Sequence, residues 1–549
     1  MDGNYPFDLG PHVWPVSTRS PGAQLWFDRG LNWLYGFNHE EAVLCFERAT
    51  QFDPGLGMAW WGIAYASGPF YNMPWWTFTL EEKQEATAVS YMATQKALGC
   101  VKQCGEVEAA LITALSFRYP EDHLVEPFEF ENWEWDYADA MRSVYDRFPD
   151  NLNVTALCVE ALINLTPWKL WDVHTGKVAR GTATLEALDL LEKAMPDDGS
   201  RLHQAILHLY IHVLEMSGEP ERALRAADLM SGLSPDAGHI EHMPGHIYVL
   251  CGQYPKAIAC SHKAIAADRK YLAFRGPLNF YTTSRCHDLH LLMYSAMMSG
   301  CLTPAVKAAE EIKLSLTPEV LSTKKNHMAI TVEGYFATHM HVLVRFGRWQ
   351  DILDQPLPPS PALYVVTTAM HFYARCVALA NLKRLDEARV ARQDFQAALA
   401  AVPQDRLYFN NQAHDILAVA TAMMSGELAY HSEDYTSAFD HLRHAVYLDD
   451  HLFYTEPWAW MHPPRHALGA LLLEQGHVDE AEAVYRADLG LDPVIPRCCQ
   501  HPGNIWALHG LAECQRRLGK DNADTQAQFE RAQEQADTVI SSSCCCRGS

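Results

Sequence analysis

The sequence predicts an all-α chain, a solenoid of stacked helix hairpins closed by aromatic-rich insertions. Three observations lead there. Apolar residues recur at helical spacing through almost the whole chain, while alternating, strand-like runs are few and short. Small residues, a large aromatic and a closing Pro recur at fixed offsets in several places, the mark of a repeated supersecondary unit. No flexible linker separates these units, so the chain reads as one continuous domain. It has an N-terminal extension over 1–22, helical repeats over 23–540 and a Cys-containing tail over 541–549.

The elements follow in order. In "QLWFDRGLNWLYGFNHEEAVLCFERATQFDP", Trp26, Gly30, Ala42, Phe46, Ala49 and Pro54 fall at the fourth, eighth, twentieth, twenty-fourth, twenty-seventh and thirty-second positions of the 34-residue tetratricopeptide pattern. The physical content of that pattern is a helix hairpin. Small residues sit where the two helices touch, an aromatic fills the interior, and Pro ends the second helix. The next unit opens on schedule at Trp60. Further units are marked by Ala223, Ala227 and Pro235; by Tyr248, Ala257 and Ala264; by Ala305; by Ala388; and by Gly426, Ala438 and Ala445. A close match returns at Gly469, Ala481, Tyr485 and Pro493, and a degenerate unit runs from Trp506 to Ala532. Aromatic insertions interrupt the units at 71–78, 117–135, 163–176, 275–285 and 451–464. A plain scaffold has no need of them, whereas a superhelical groove closed over by them becomes a cavity.

Composition narrows the function. The chain has 549 residues, 48% of them hydrophobic, enough for a large core. Lys and Arg total 43 against 67 Asp and Glu, a net charge of −24, which speaks against nucleic acid and an anionic membrane as partners. No apolar run is long enough to span a bilayer. The first residues, "MDGNYPFDLGPHVWPVS", have neither a basic nor an apolar signal region, so a cytoplasmic setting is expected. Most of the 15 Cys read as reduced core residues, and "SSSCCCRGS" as a free tail or a soft metal ligand.

The histidines carry the chemistry. His242 and His246 follow His208 and His212 by one 34-residue repeat, each pair spaced i, i+4. Counted from their own anchors, His208 and His242 are fifth and His212 and His246 ninth in successive units. Glu215 is twelfth and His239 second; His287, His290 and Tyr294 are second, fifth and ninth of the unit anchored on Ala305. His466 and His341 fall on the same stripe. In a tetratricopeptide superhelix this stripe of the first helix lines the groove. Two His at i, i+4 share a helix face, and neighbouring helices about 8–10 Å apart let imidazoles from both converge on one ion. The expected metal ligands are therefore His208, His212, His242, His246, His287 and His290. Glu215, His239 and Tyr294 are the expected catalytic groups, with Glu215 a ligand, an acceptor for an imidazole N–H, or a general base. A metal-free polar cavity and imidazoles that only pack and hydrogen-bond are the competing readings.

Trp61 and Tyr65 fit a substrate wall or a core, Arg375 and Arg465 an anionic substrate group or a surface pair, and His39 the turn of the first hairpin. No nucleophile-elbow, phosphate-loop or dinucleotide fingerprint is present.

The stretches "SPGAQLWFDRGLNWLYGFNHEEAVLCFERA", "MAWWGIAYASGP", "LHLYIHVLE", "GHIEHMPGHIYVLCGQY" and "HPGNIWALHGLAEC", with the tail "SSSCCCR", resemble a group of long bacterial and fungal tetratricopeptide-repeat proteins. The resemblance spans nearly the whole length. It implies the tetratricopeptide superhelix and brings no reaction with it.

The expectation is a metal-dependent enzyme with a multi-histidine site in the groove. An oxidoreductase using copper, or iron or zinc in its place, would act on a small organic substrate. A zinc hydrolase with Glu215 as base is one alternative, and a non-catalytic peptide-binding scaffold the other.

Overall fold

The computed structural model describes residues 5–195, 202–323 and 328–547, so residues 1–4 of the extension and 548–549 of the tail lie outside the described residues. Two compact units are present: unit 1, Met1–Ile247 with Lys263–Tyr281, and unit 2, Tyr248–His262 with Thr282–Ser549. Among the described residues, strand structure amounts to two short antiparallel pairs, Trp171–Asp172 with Lys177–Val178 and Leu407–Tyr408 with Asn411–Gln412. The fold class is all-α, made of tetratricopeptide-type hairpins.

In unit 1 the hairpins are α1 (Pro21–Tyr35) with α2 (His39–Phe52), α3 (Gly57–Ser67) with α4 (Leu80–Cys100), and α5 (Glu106–Arg118) with α6 (Pro127–Arg147). They continue with α7 (Leu152–Ile163) and α8 (Thr184–Ala194), then α9 (Gln204–Glu215) and α10 (Leu224–Met230). Two short helices, α11 (Gly238–His242) and α12 (Pro244–Leu250), follow. First helices stack on first helices, α1 on α3, α3 on α5 and α7 on α9. Local chemistry starts the helices. Ser20 caps α1 through the Ala23 amide, with Pro21 at its first position, and Asn38 caps α2 through the Glu41 amide. The glycine–aromatic part of the repeat pattern has a direct cause. Phe46 of α2 is wedged between Gly30 of α1 and Gly62 of α3, and a Cβ on either glycine would stand 2.7 Å from its ring.

Helix α13 (Tyr254–Arg275) passes from unit 2 to unit 1 at Lys263, and in unit 2 the hairpins are α14 (Tyr281–Met298) with α15 (Leu302–Ser315) and, past the one-turn α16 (Pro318–Leu321), α17 (Met328–Arg345) with α18 (Trp349–Asp354). Next come α19 (Val365–Asn381) with α20 (Leu385–Ala400) and α21 (Ala413–His431) with α22 (Tyr435–Asp449). The last are α23 (Pro464–Glu474) with α24 (Val478–Asp488) and α25 (Ile505–Arg517) with α26 (Ala523–Gln535). Tyr485 of α24 repeats the role of Phe46, wedged between Gly469 and Gly510.

Some aromatics of the insertions pack inward, while Trp76, Phe117, Phe128, Trp135 and Phe453 are exposed. Trp171 donates its indole N–H to the Val213 carbonyl at 2.6 Å, and Tyr71 stacks near Trp168 at 5.1 Å. In unit 2, Trp458 stacks on Tyr294 at 5.9 Å, and Trp460 stands 4.7 Å from His341 and 5.3 Å from Tyr373.

The tail corrects a sequence expectation: it is not free. Arg345, buried at the end of α17, donates to the Ser543 carbonyl at 2.5 Å. Ser543 Oγ bonds the Tyr485 hydroxyl and the His466 carbonyl, and Arg547 pairs with both oxygens of Glu513 at 2.7 and 3.0 Å. Cys544 and Cys546 are joined to each other. The reason is that a buried guanidinium requires acceptors, and the tail supplies one. Burial already pushes Arg345 down to about 10. Deleting 541–549 should therefore lower the unfolding free energy of the protein by about 3 kcal/mol, the cost of orphaning a buried charged donor and one partner of an ion pair. Urea titration reads this as a lower midpoint. An unchanged midpoint would mean that the tail contributes nothing to unit 2.

Candidate metal centre

The site lies in unit 1 on α9, α11 and α12. Helix α9 is buried along its whole length, so His208, His212 and Glu215 are enclosed. The break between α11 and α12 falls at Met243 because Pro244 has no N–H and its ring excludes the carbonyl of Ile240. His239 and His242 stand before this break and His246 after it. All five imidazoles and Glu215 are at most 2% exposed.

The rings form a closed circuit. Centroid distances are 4.8 Å from His212 to His208, 4.9 Å to His239, 6.0 Å to His242, 4.6 Å to His246 and 6.1 Å back to His212. His208, His212 and His239 each bring a ring nitrogen within 4.8 Å of the others. The Nε2 atoms of His208 and His239 are 3.1 Å apart, and those of His242 and His246 2.6 Å.

Hydrogen bonds on the far side of three rings fix which nitrogen is bare. His208 Nδ1 donates to the Tyr35 carbonyl at 2.8 Å. Glu215 accepts from His212 Nδ1 through Oε1 at 2.8 Å and from His246 Nδ1 through Oε2 at 2.7 Å. With Glu215 ionised, its carboxylate and the Tyr35 carbonyl only accept, so each of these imidazoles carries its proton on Nδ1 and keeps a lone pair on Nε2. This is the arrangement by which outer carboxylates and carbonyls orient metal-binding imidazoles. Burial pushes His208 down to about 4, with the Tyr35 carbonyl opposing, so the ring is neutral at pH 7, as ligation requires.

Aromatic rings wall the cluster. Phe37 lies 4.3 Å from the His208 ring, 5.6 Å from His212 and 5.5 Å from His239, and Tyr71 and Trp168 lie 5.0 and 6.3 Å from His212. Phe37 reaches this place from the α1–α2 turn with φ +56°, a strained conformation that only tight surroundings maintain. Its role, like that of the Tyr35 carbonyl, was not expected from sequence. The one available sign was a bulky residue in the turn before the Asn38 cap.

The other expected site residues are placed as follows. Trp61 and Tyr65 are wholly buried, 5.2 Å apart, with Tyr65 beside Tyr137 at 6.5 Å and under the Arg118 guanidinium at 5.4 Å. His39 opens α2 and stacks on Phe70 at 4.0 Å. His287, His290 and Tyr294 are on α14 in unit 2. His287 stands 3.9 Å from Glu456, and burial pushes it down to about 4. His290 packs on Phe409 at 4.7 Å and Tyr335 at 5.4 Å. Burial first, then the neighbouring His287 and His341, push it well below the usual imidazole range. Tyr294 is buried against Trp458, and burial raises its phenol well above 10. Arg375 is half-buried and donates to the Leu353 carbonyl at 3.3 Å. Arg465 is committed to Asp450 through two bonds of 2.5 and 2.6 Å, the pairing reading rather than a free anion hook.

Unit 2 holds a polar network that sequence reasoning missed. Asp488, fully buried, accepts from His466 Nε2 and His501 Nδ1 at 2.9 Å each and from Asn504 at 2.9 Å. Arg345 donates to His466 Nδ1 at 2.9 Å, so His466 is a neutral relay between guanidinium and carboxylate. Its bonds reach across 121 and 22 residues, and no short motif announces them.

No family model matches the sequence, and no curated protein does. Among solved structures, the human IFIT1 dimer with m7Gppp-AAAA is similar at 11% identity over 95% of this chain and 91% of that one, with a TM-score of 0.30. Yeast Tom70 is similar at 13% identity over 94% of this chain and 92% of that one, with a TM-score of 0.28. Among the described residues, no helix is long and apolar enough to cross a membrane.

Proposed function

We propose that this chain is a transition-metal enzyme whose metal is held by the buried imidazoles of unit 1, and that it is an oxidoreductase acting on a small organic substrate in the cytoplasm. The observation that carries the reading is the double acceptor contact of Glu215 with His212 Nδ1 and His246 Nδ1. Asp488 in unit 2 is also shared by two imidazoles, but there Arg345 occupies the opposite nitrogen of His466, whereas Glu215 leaves Nε2 of His212 and His246 turned toward further imidazoles. A set of imidazoles without thiolate suits copper, iron or zinc, with copper preferred. A zinc hydrolase asks for a free base, and Glu215 spends both oxygens on imidazoles, which favours redox chemistry. Apart from Cys544 and Cys546, the described cysteines form no disulfide, in keeping with a reducing compartment. The quoted stretches further support membership of the long bacterial and fungal tetratricopeptide-repeat group.

The chain's own residues supply the setting. Tyr35 and Glu215 hold three tautomers, and Phe37, Tyr71 and Trp168 exclude water. The test is elemental analysis after reconstitution with copper, iron and zinc salts. At least one ion per chain is expected, and less than about 0.2 with all three metals would end the metalloenzyme reading. If the loaded protein consumes no dioxygen with small phenols, amines or thiols, the oxidoreductase assignment fails.

A further inference from the structure

The imidazoles of unit 1 are more than one ion needs, and their spacing is uneven. Two rings on one ion, bonded at about 2.0–2.1 Å, have centroids about 4.5–5.5 Å apart when they are neighbours in its shell. The steps from His212 to His208 to His239, 4.8 and 4.9 Å, and from His242 to His246, 4.6 Å, meet this condition. The steps from His239 to His242 and from His246 to His212, 6.0 and 6.1 Å, do not. His212 and His239, 6.2 Å apart, face each other across His208 rather than side by side. The circuit therefore divides into a set of three and a set of two.

The nitrogen contacts agree: each is a hydrogen bond in which His239 or His242 donates from Nε2 to a bare Nε2, and ligation would release that proton. The 3.1 Å between Nε2 of His208 and His239 lies between the edge of a square plane and that of a tetrahedron around one ion, about 2.9 and 3.4 Å for such bonds. The 2.6 Å between Nε2 of His242 and His246 reaches the lower value with an opening of a few tenths of an ångström. Glu215 holds one member of each set, His212 and His246.

We propose, resting on the transition-metal reading above, that unit 1 is a two-metal site. One ion takes a ring nitrogen each from His208, His212 and His239, the other takes Nε2 of His242 and His246, and Glu215 couples the two by orienting a ligand of each. The two sets adjoin, with ring centroids 6.0 and 6.1 Å apart where they meet, so the ions they would hold are neighbours, and two neighbouring ions can engage one substrate.

Full-length protein is loaded with Cu(II) alone, freed of excess, and its copper counted beside its paramagnetic resonance signal. The expected result is two copper ions per chain with a signal well below that content, because two close Cu(II) ions couple. The double variant His242→Gln/His246→Gln should retain one ion and show the full uncoupled signal, and His208→Gln/His239→Gln should do the same. One ion per chain in the unaltered protein, or a full signal at two ions, overturns the two-metal proposal while leaving metal binding intact. No copper, iron or zinc at all overturns the underlying reading instead. The count and the signal of the unaltered protein decide the matter even if a variant fails to fold.

Discussion

Glu215→Gln should weaken metal binding by about 10- to 100-fold while leaving the shape of the site unchanged. The reason is donor arithmetic. The carboxylate accepts from two imidazole N–H groups, one on each oxygen. A Gln amide offers one acceptor and one N–H donor, so one of the two rings must move its proton from Nδ1 to Nε2. That ring then presents N–H where the metal needs a lone pair. Glu215→Ala goes further. It leaves two buried N–H groups without an acceptor, and removing one partner from a buried ionic contact costs about 3–5 kcal/mol. Isothermal titration with copper gives the affinity, and thermal unfolding of the metal-free protein gives the stability. If Gln at this position binds copper as tightly as Glu, the carboxylate does not orient the ligands.

Acid should unfold the protein cooperatively between about pH 6 and 4.5, well above the range in which exposed carboxylates titrate. Burial pushes His39 and His203 in unit 1, and His341 in unit 2, down to about 3, and His371 and His466 down to about 4. In the unfolded chain each titrates near 6.5, so between the two values the unfolded state binds the extra proton and stability falls as pH falls. The stabilisation is whole above pH 6.5. Buried carboxyls, Glu160 and Glu427 among them, act in the opposite sense. Burial raises Glu160 and Glu427 to about 7, and the stability they give is present below about 4.5 and lost as pH rises through 7. Each imidazole contributes about 1.4 kcal/mol per pH unit within its own window, and each raised carboxyl the same in the opposite sense. Circular dichroism across this range, with melting temperatures at pH 7.5 and 5.5, measures it. A melting temperature that does not fall over these two units would show that the buried imidazoles are not neutral in the fold.

Much of the architecture was legible because it is local. Gly30 and Phe46 stand 16 residues apart, as Gly469 and Tyr485 do, since in each hairpin a ring must meet a bare backbone. The register of His208, His212, His242 and His246 was legible for the same reason, since helical period and repeat length together decide which face a residue takes. The tail was not legible: nothing in "SSSCCCRGS" says that a guanidinium two hundred residues earlier needs a carbonyl. Sequence left Arg465 open between an anionic substrate group and an ion pair, and Asp450 stands beside it.

The sequence by itself determined the all-α hairpin class, the unit boundaries near their Ala and Pro anchors, and which imidazoles share a stripe, because these depend on periodicities within tens of residues. Tertiary structure alone decided which nitrogen of His208, His212 and His246 is bare. The Tyr35 carbonyl lies 173 residues from His208, and Glu215 meets His246 across 31. A proton's position on a ring is set by the acceptor on its far side, and that acceptor arrives only when distant hairpins pack.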